Sequence, residues 1–232
     1  MNKLFFVFLF YGLTFPLSLK AHLAIVDVQQ GYTEVRVNPS ENSSLLTLLQ
    51  NNTAVLIDGI YLEEYSDTDW LKIYFAGDPY CLECSPDLTM HQSGFVRTSH
   101  LVDIESLKQS DTTIFKMIYT IRLFDVSTKT IQYFDSTAST IASINGKAYF
   151  GADCGLPNTE IVQAIAVLKH EEFSIPMTLL WSILNAGSNF RYFCKDDSYF
   201  ALQDIGDGAC VTSLVWVFDE KGLKQRMLGW SY

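Results

Sequence analysis

Between residues 24 and 101 the chain is cut into short pieces by turn residues, and this punctuation limits what it can build. Gly31-Tyr32-Thr33-Glu34-Val35-Arg36-Val37 stops at Asn38-Pro39-Ser40, and Ser44-Leu45-Leu46 is followed by Asn51-Asn52 and the run Thr53-Ala54-Val55-Leu56-Ile57. Asp69-Trp70-Leu71-Lys72-Ile73 and Gly94-Phe95-Val96-Arg97-Thr98-Ser99-His100-Leu101 come after a gap. Apolar residues alternate within each piece, and Pro, Asn and Gly separate the pieces. That period predicts strands, which bury apolar side chains only by pairing into sheets. A mainly β fold is expected.

The second half, 112–232, reads the same way. Ile114–Leu123 is rich in β-branched and aromatic residues. Asn145-Gly146 is a hairpin signal, because both residues tolerate positive φ. Val162–Leu168, the His170-Glu171-Glu172 turn and Phe173–Pro176 predict another hairpin. Met177–Leu184 is the one segment predicted helical, ended by Asn185-Ala186-Gly187. Val211–Phe218, an Asp219–Gly222 turn and Leu223–Trp230 close the chain as a hairpin with alternating faces and core aromatics.

The pieces of the first half, in their order and spacing, resemble a bacterial SH3 (SH3b) domain over residues 22–107. That family runs from a Tyr-Thr-x-Val-Arg start through a Pro-Ser turn and an Asp-Trp-x-Lys-Val strand to a Gly-Tyr-Val closing strand. The resemblance implies a small SH3-like barrel and adhesion to wall or peptide ligands. It puts Tyr32, Trp70 and Phe95 at motif positions at or near an aromatic groove, suited to an extended peptide or a glycan strand. The polar seam Lys108-Gln109-Ser110-Asp111 marks the expected boundary, with a β-rich domain of one short helix from 112 to 232.

Ahead of the first strand, Lys3, the apolar run Leu4–Leu13, Pro16 and Ala21 have the layout of a secretory signal peptide, 1–21. Periplasmic or secreted localisation is expected, without membrane attachment after cleavage. The formal charge is −10, and it becomes more negative once the leader's Lys3 and Lys20 are removed. Nucleic acid is therefore an unsuitable partner, since binding it needs cations to neutralise phosphates. Export also favours disulfides among the five cysteines. Cys81-Leu82-Glu83-Cys84 lies in the insert Gly77–Ser93. A zinc half-site there wants a second ligand pair and has only His91 nearby, and a redox motif wants a βαβ context. A local disulfide is preferred, with Cys154–Cys210 as the second pair.

No catalytic residue and no cofactor is assigned. Ala148–Leu156, with Asp153-Cys154-Gly155-Leu156, looks like the nucleophile motif of NlpC/P60 cysteine peptidases. Its Ser is missing, Pro157 falls where a helix is needed, and no His follows His170 to act as base. Asp204-Ile205-Gly206-Asp207-Gly208 is a turn before it is a calcium loop, and no metal site is assigned. The sequence thus points to a non-catalytic envelope protein that binds peptidoglycan or a peptide. A periplasmic inhibitor or immunity protein against a toxin is the alternative, and a degenerate NlpC/P60-like hydrolase comes third. N-terminal sequencing of the exported protein should begin at His22; retention of Met1 in the membrane fraction would contradict the leader.

Overall fold

A computed structural model of the protein describes residues 22–58, 69–134, 137, 140–152, 155–206 and 211–230. The fold is mainly β, with several antiparallel sheets and no helix of seven or more residues among those described. The leader 1–21 lies outside the described residues. None of the described helices is long and apolar enough to cross a membrane.

Seven strands form the first sheet: β1 (His22–Val26), β2 (Tyr32–Arg36), β3 (Leu45–Gln50), β4 (Ala54–Ile57), β5 (Trp70–Phe75), β6 (Gln92–Arg97) and β7 (Leu101–Asp103). Their order is β3-β2-β6-β5-β4-β1-β7, and a 3-10 turn, Thr98–His100, joins β6 to β7. Alternation divides the side chains between two cores. Ala24, Val35, Val55, Ile57, Ile73 and Val96 form one cluster, while Leu23, Ile25, Ala54 and Leu56 belong to another shared with the second half. β2 and β6 pack so closely that a Cβ on Gly94 would stand 2.6 Å from Val35 Cγ1 and 2.9 Å from the Arg36 carbonyl oxygen.

The rest of the chain gives β8 (Lys108–Gln109), β9 (Phe115–Leu123), β10 (Ile131–Tyr133), β11 (Ile141–Ile144), β12 (Thr159–Leu168), β13 (Glu171–Ser174), β14 (Arg191–Lys195), β15 (Ser198–Ile205), β16 (Thr212–Asp219) and β17 (Gly222–Trp230). They form a five-stranded sheet β17-β16-β15-β14-β8, a three-stranded sheet β13-β12-β9 and the pair β10-β11. The polar seam at 108–109 is thus a strand, paired with β14 at the edge of the five-stranded sheet.

The five-stranded sheet is the middle layer. On one face Phe218 and Tyr199 meet Phe115 of β9, with ring centroids 5.4 and 5.7 Å apart, and Trp216 Nε1 donates to Tyr119 Oη at 2.8 Å. On the other, the Gln225 side-chain amide bonds both the N–H and the C=O of Ala54, at 2.7 and 2.8 Å. β16 is therefore buried from Thr212 to Phe218, and the alternating faces expected of the final hairpin are replaced by an apolar run.

The turns are built as their chemistry requires. Asn145 and Gly146 have φ of 54° and 73°, and Ile144 and Lys147 exchange backbone hydrogen bonds across them. Lys169 and His170, at φ of 49° and 76°, turn β12 into β13, so the turn begins one residue before the expected His170-Glu171-Glu172 and the two glutamates belong to β13. The predicted helix over 177–184 is a correction: only Met177–Leu179 is helical, as a 3-10 turn. Its backbone is recruited elsewhere, since Phe150 N–H donates to Ser182 O and Leu184 N–H to Phe150 O. Leu179, Leu180, Ser182, Ile183 and Leu184 are buried while Met177 and Thr178 are exposed, the pattern of an amphipathic helix, and the hydrogen bonds to Phe150 override it.

The halves are joined through Arg226, which is 2 % exposed. Its guanidinium donates to the carbonyls of Tyr80 (2.7 Å), Leu179 (2.5 Å) and Cys81 (2.8 Å), while its backbone N–H donates to Pro79 O. Burial pulls its pKa down to about 10, so it stays charged at neutral pH. Hydrogen bonds from a charged donor contribute about 1.5–3 kcal/mol each, and an acceptor stranded without one is costly. Arg226→Met should lower unfolding stability by roughly 3 kcal/mol or more in urea melts, and Arg226→Lys should rescue little because one ammonium cannot span three carbonyls. A midpoint unchanged in both variants would contradict this role.

Candidate functional site

Residues directly opposite in an antiparallel ladder share a face. Trp70 pairs with Arg97, Lys72 with Phe95, and Arg36 with Phe95. One face of the first sheet therefore carries Trp70, Lys72, Tyr74, Phe95, Arg97 and Arg36. The Arg97 guanidinium lies 4.6 Å from the Trp70 ring centroid, and Lys72 Nζ lies 4.9 Å from that of Tyr74. Acids surround the cations: Asp69 and Glu41 pair with Arg97, Glu34 with Arg36, and Asp58 with Lys72 at 3.2 Å. Tyr74 Oη also donates to Asp58, at 3.0 Å.

The three residues singled out for ligand contact are only partly assembled. Trp70 is buried at the sheet surface, Phe95 is half-buried beside it, and the two are diagonal neighbours. Tyr32 is exposed and pairs with Gln50. It lies four residues from Arg36, about 13 Å along β2, so it stands apart from the other two. Sequence reasoning missed the flank of this surface, where Leu45, Leu46 and Leu48 of the edge strand β3 are 50 %, 49 % and 44 % exposed. Consecutive leucines with no charge among them were the available signal. The connection between β4 and β5, with Glu63, Glu64 and Asp67, lies outside the described residues.

A second concavity of about 400 Å³ lies where the two halves meet, lined by Asn51, Asn52, Asp78, Asp219, Lys224 and Gln225 among others. It joins segments more than 140 residues apart, which no local pattern reveals. Asn52 sits at φ 65° with its side-chain oxygen buried and unpartnered.

In the insert, Cys81 and Cys84 are joined as a disulfide with Cα atoms 5.0 Å apart. His91 Nε2 lies 2.8 Å from Leu228 O and 3.6 Å from Cys81 Sγ. Cys194, on β14, is a half-buried free thiol. Cys154 and Cys210 lie outside the described residues, and so does their proposed pairing. Around the peptidase-like motif, β12 starts at Thr159 and His170 sits in an exposed turn. Asp204 lies in β15 with its carboxylate held by Arg191 (2.9 Å) and Ser213 (2.8 Å), while Asp207 and Gly208 are outside the described residues. Thr33 Oγ1 reaches His100 Nδ1 at 2.7 Å, but Thr33 is fully buried.

Compared with family models, with curated proteins and with solved structures, the chain matches none of them.

His91 and His100 both titrate below the ordinary imidazole range. Burial is the main cause in each; Leu228 and Asp87 oppose it at His91, and Arg97 adds to it at His100. An unfolded histidine takes up its proton near pH 6.5. As pH falls past that value the unfolded chain binds protons that the fold resists, so their contribution is complete above about pH 6.5 and declines below it. Thermal melts should show stability falling from pH 7 to pH 5.5, with a shallower fall in His100→Asn. A flat profile over that range would contradict the assignment.

Proposed function

We propose that this is an exported, non-catalytic binding protein that grips the cell envelope through the aromatic and cationic face of its first sheet, in an SH3b-like manner. The observation that carries the reading is the row of Trp70, Phe95, Arg97, Arg36 and Lys72 on one sheet face. Aromatic faces suit sugar rings and extended peptide, and the cations suit the carboxylates of wall stem peptides. The carboxylates now paired with Arg97 are well exposed, and such surface pairs are worth about 0–1 kcal/mol, so a ligand carboxylate can replace them at small cost. The segments that carry the SH3b resemblance, at 32–36, 70–75 and 92–101, belong to one sheet, which supports carrying the resemblance over.

A non-catalytic role is supported by the chemistry nearby. Thr33 meets a histidine but is sealed from substrate, and Cys81 is bonded to Cys84. The second reading, an inhibitor that captures a basic toxin, draws on the net charge of −10 and pI near 4.7, since a negative surface speeds association with a basic partner.

Sedimentation with purified peptidoglycan sacculi tests the first reading. The protein should pellet with sacculi, and Phe95→Ala or Arg97→Ala should weaken this about tenfold, the equivalent of roughly 1.4 kcal/mol of lost contact. Tyr32→Ala, away from the pair, should have a smaller effect. Protein that stays in the supernatant yet captures a basic protein from envelope extract would replace wall binding with the inhibitor reading.

A further inference from the structure

Three groups with affinity for soft cations converge under the insert. Cys81 Sγ, Cys84 Sγ and a ring nitrogen of His91 all lie within 4.8 Å of one another. Cys81 and Cys84 are buried, at 1 % and 7 % exposure, and His91 is half-buried. The turn directs both sulfurs to one side, with Cys84 N–H directed at Cys81 O at 3.4 Å. We propose that in the reduced protein Cys81, Cys84 and His91 form a binding site for a divalent d10 cation, zinc in the first instance, and that the disulfide is the closed state of that site.

The chemistry of the donors favours this cation. Two thiolates and one imidazole form a Cys₂His set, which leaves one coordination position open on a tetrahedral ion. The nitrogen of His91 that faces the cysteines is Nε2, 3.6 Å from Cys81 Sγ and 2.8 Å from Leu228 O. Ligation through Nε2 exchanges its hydrogen bond to that carbonyl for the bond to the cation, and the buried carbonyl holds the ring beside the sulfurs. The Leu228 carbonyl also lies 3.9 Å from Cys81 Sγ, so the pocket is polar on that side. Arg226, bonded to the Cys81 carbonyl, adds a buried positive charge that favours thiolate over thiol.

A thiol reductant supplies two electrons and two protons to the Cys81–Cys84 bond and leaves as its own disulfide. Each cysteine then releases its proton as its sulfur–metal bond forms, so two protons leave per ion bound. A small-molecule disulfide reverses both steps: two protons return to the sulfurs as the ion leaves, and the cysteine pair then gives two electrons and two protons to that disulfide, which departs as two thiols.

Cobalt(II) reports on such a site, because thiolate ligation produces charge-transfer bands in the near ultraviolet. The purified protein is reduced with a phosphine, desalted without oxygen and titrated with Co²⁺, then with Zn²⁺ to displace it. One equivalent should bind with thiolate bands that vanish when the protein is reoxidised and are absent in Cys81→Ser. His91→Gln keeps both cysteines, and it should bind Co²⁺ at least about tenfold more weakly. Because His91→Gln and the reduced–oxidised comparison leave both cysteines in place, the test survives even if Cys81→Ser fails to fold. Thiolate bands that persist in Cys81→Ser, an affinity unchanged in His91→Gln, or no bands in the reduced protein would each overturn the proposal.

Discussion

The whole architecture depends on one buried cation. Arg226 lies on the edge strand of the middle sheet and donates to carbonyls from two separate segments, the insert at Tyr80 and Cys81 and the irregular stretch at Leu179. A guanidinium presents its donors in a rigid planar fork, so three acceptors can be met at once only if the segments bearing them hold fixed positions. Taking that charge out of water is costly and is offset only while all the acceptors are present. The insert, the stretch after Pro176 and the final hairpin are thereby tied to a single arrangement.

Around that tie the packing is layered. Gln225 bonds to Ala54 on one side of the middle sheet, and Phe218 and Trp216 reach the three-stranded sheet on the other. Gly229 lets the layers close: a Cβ there would stand 2.4 Å from Leu88 and 2.5 Å from Leu56, side chains of the insert and of β4. The buried cluster therefore runs from Leu23 to Leu228 without stopping at the polar seam. The surface proposed for the first sheet shares a face with Leu56, which pairs with Tyr74, and extends from this junction across β5 and β6 to β2. Its aromatics are held by a sheet whose opposite face is packed, which leaves them pre-organised for a ligand.

The insert connects the structural and chemical arguments. Its two cysteines lie next to the carbonyls that Arg226 holds, and His91 is oriented by Leu228 of the same strand that carries Arg226. Any change in the state of the sulfurs is therefore felt by the strand that joins the layers. That coupling makes a redox-gated cation site more than a local curiosity of the loop, because occupancy would bear on how firmly the halves are joined.

Local chemistry was enough for much of the fold. Period-two alternation and Pro, Asn and Gly turns gave the strands, and Asn145-Gly146 turns as those two residues require. The alternating pattern over 211–230 implies a water-facing side, but β16 is buried from Thr212 to Phe218 between two layers, and a strand enclosed on both faces loses its period-two signal. Over 177–184 the periodicity is helical, with Met177 and Thr178 exposed, and the hydrogen bonds to Phe150 from a distant part of the chain override it. Trp70 and Phe95 were legible as a pair because strand register is local. The distance to Tyr32, the exposed leucines of β3 and the cleft between the halves were not. The nearness of His91 to the cysteines could be suspected from ten residues of separation, but its orientation comes from Leu228. Residue type and spacing determine which side chains a strand offers to each face. Only the folding of distant segments onto one another decides which of those faces meets water, which meets a partner strand, and which polar atoms are left without one.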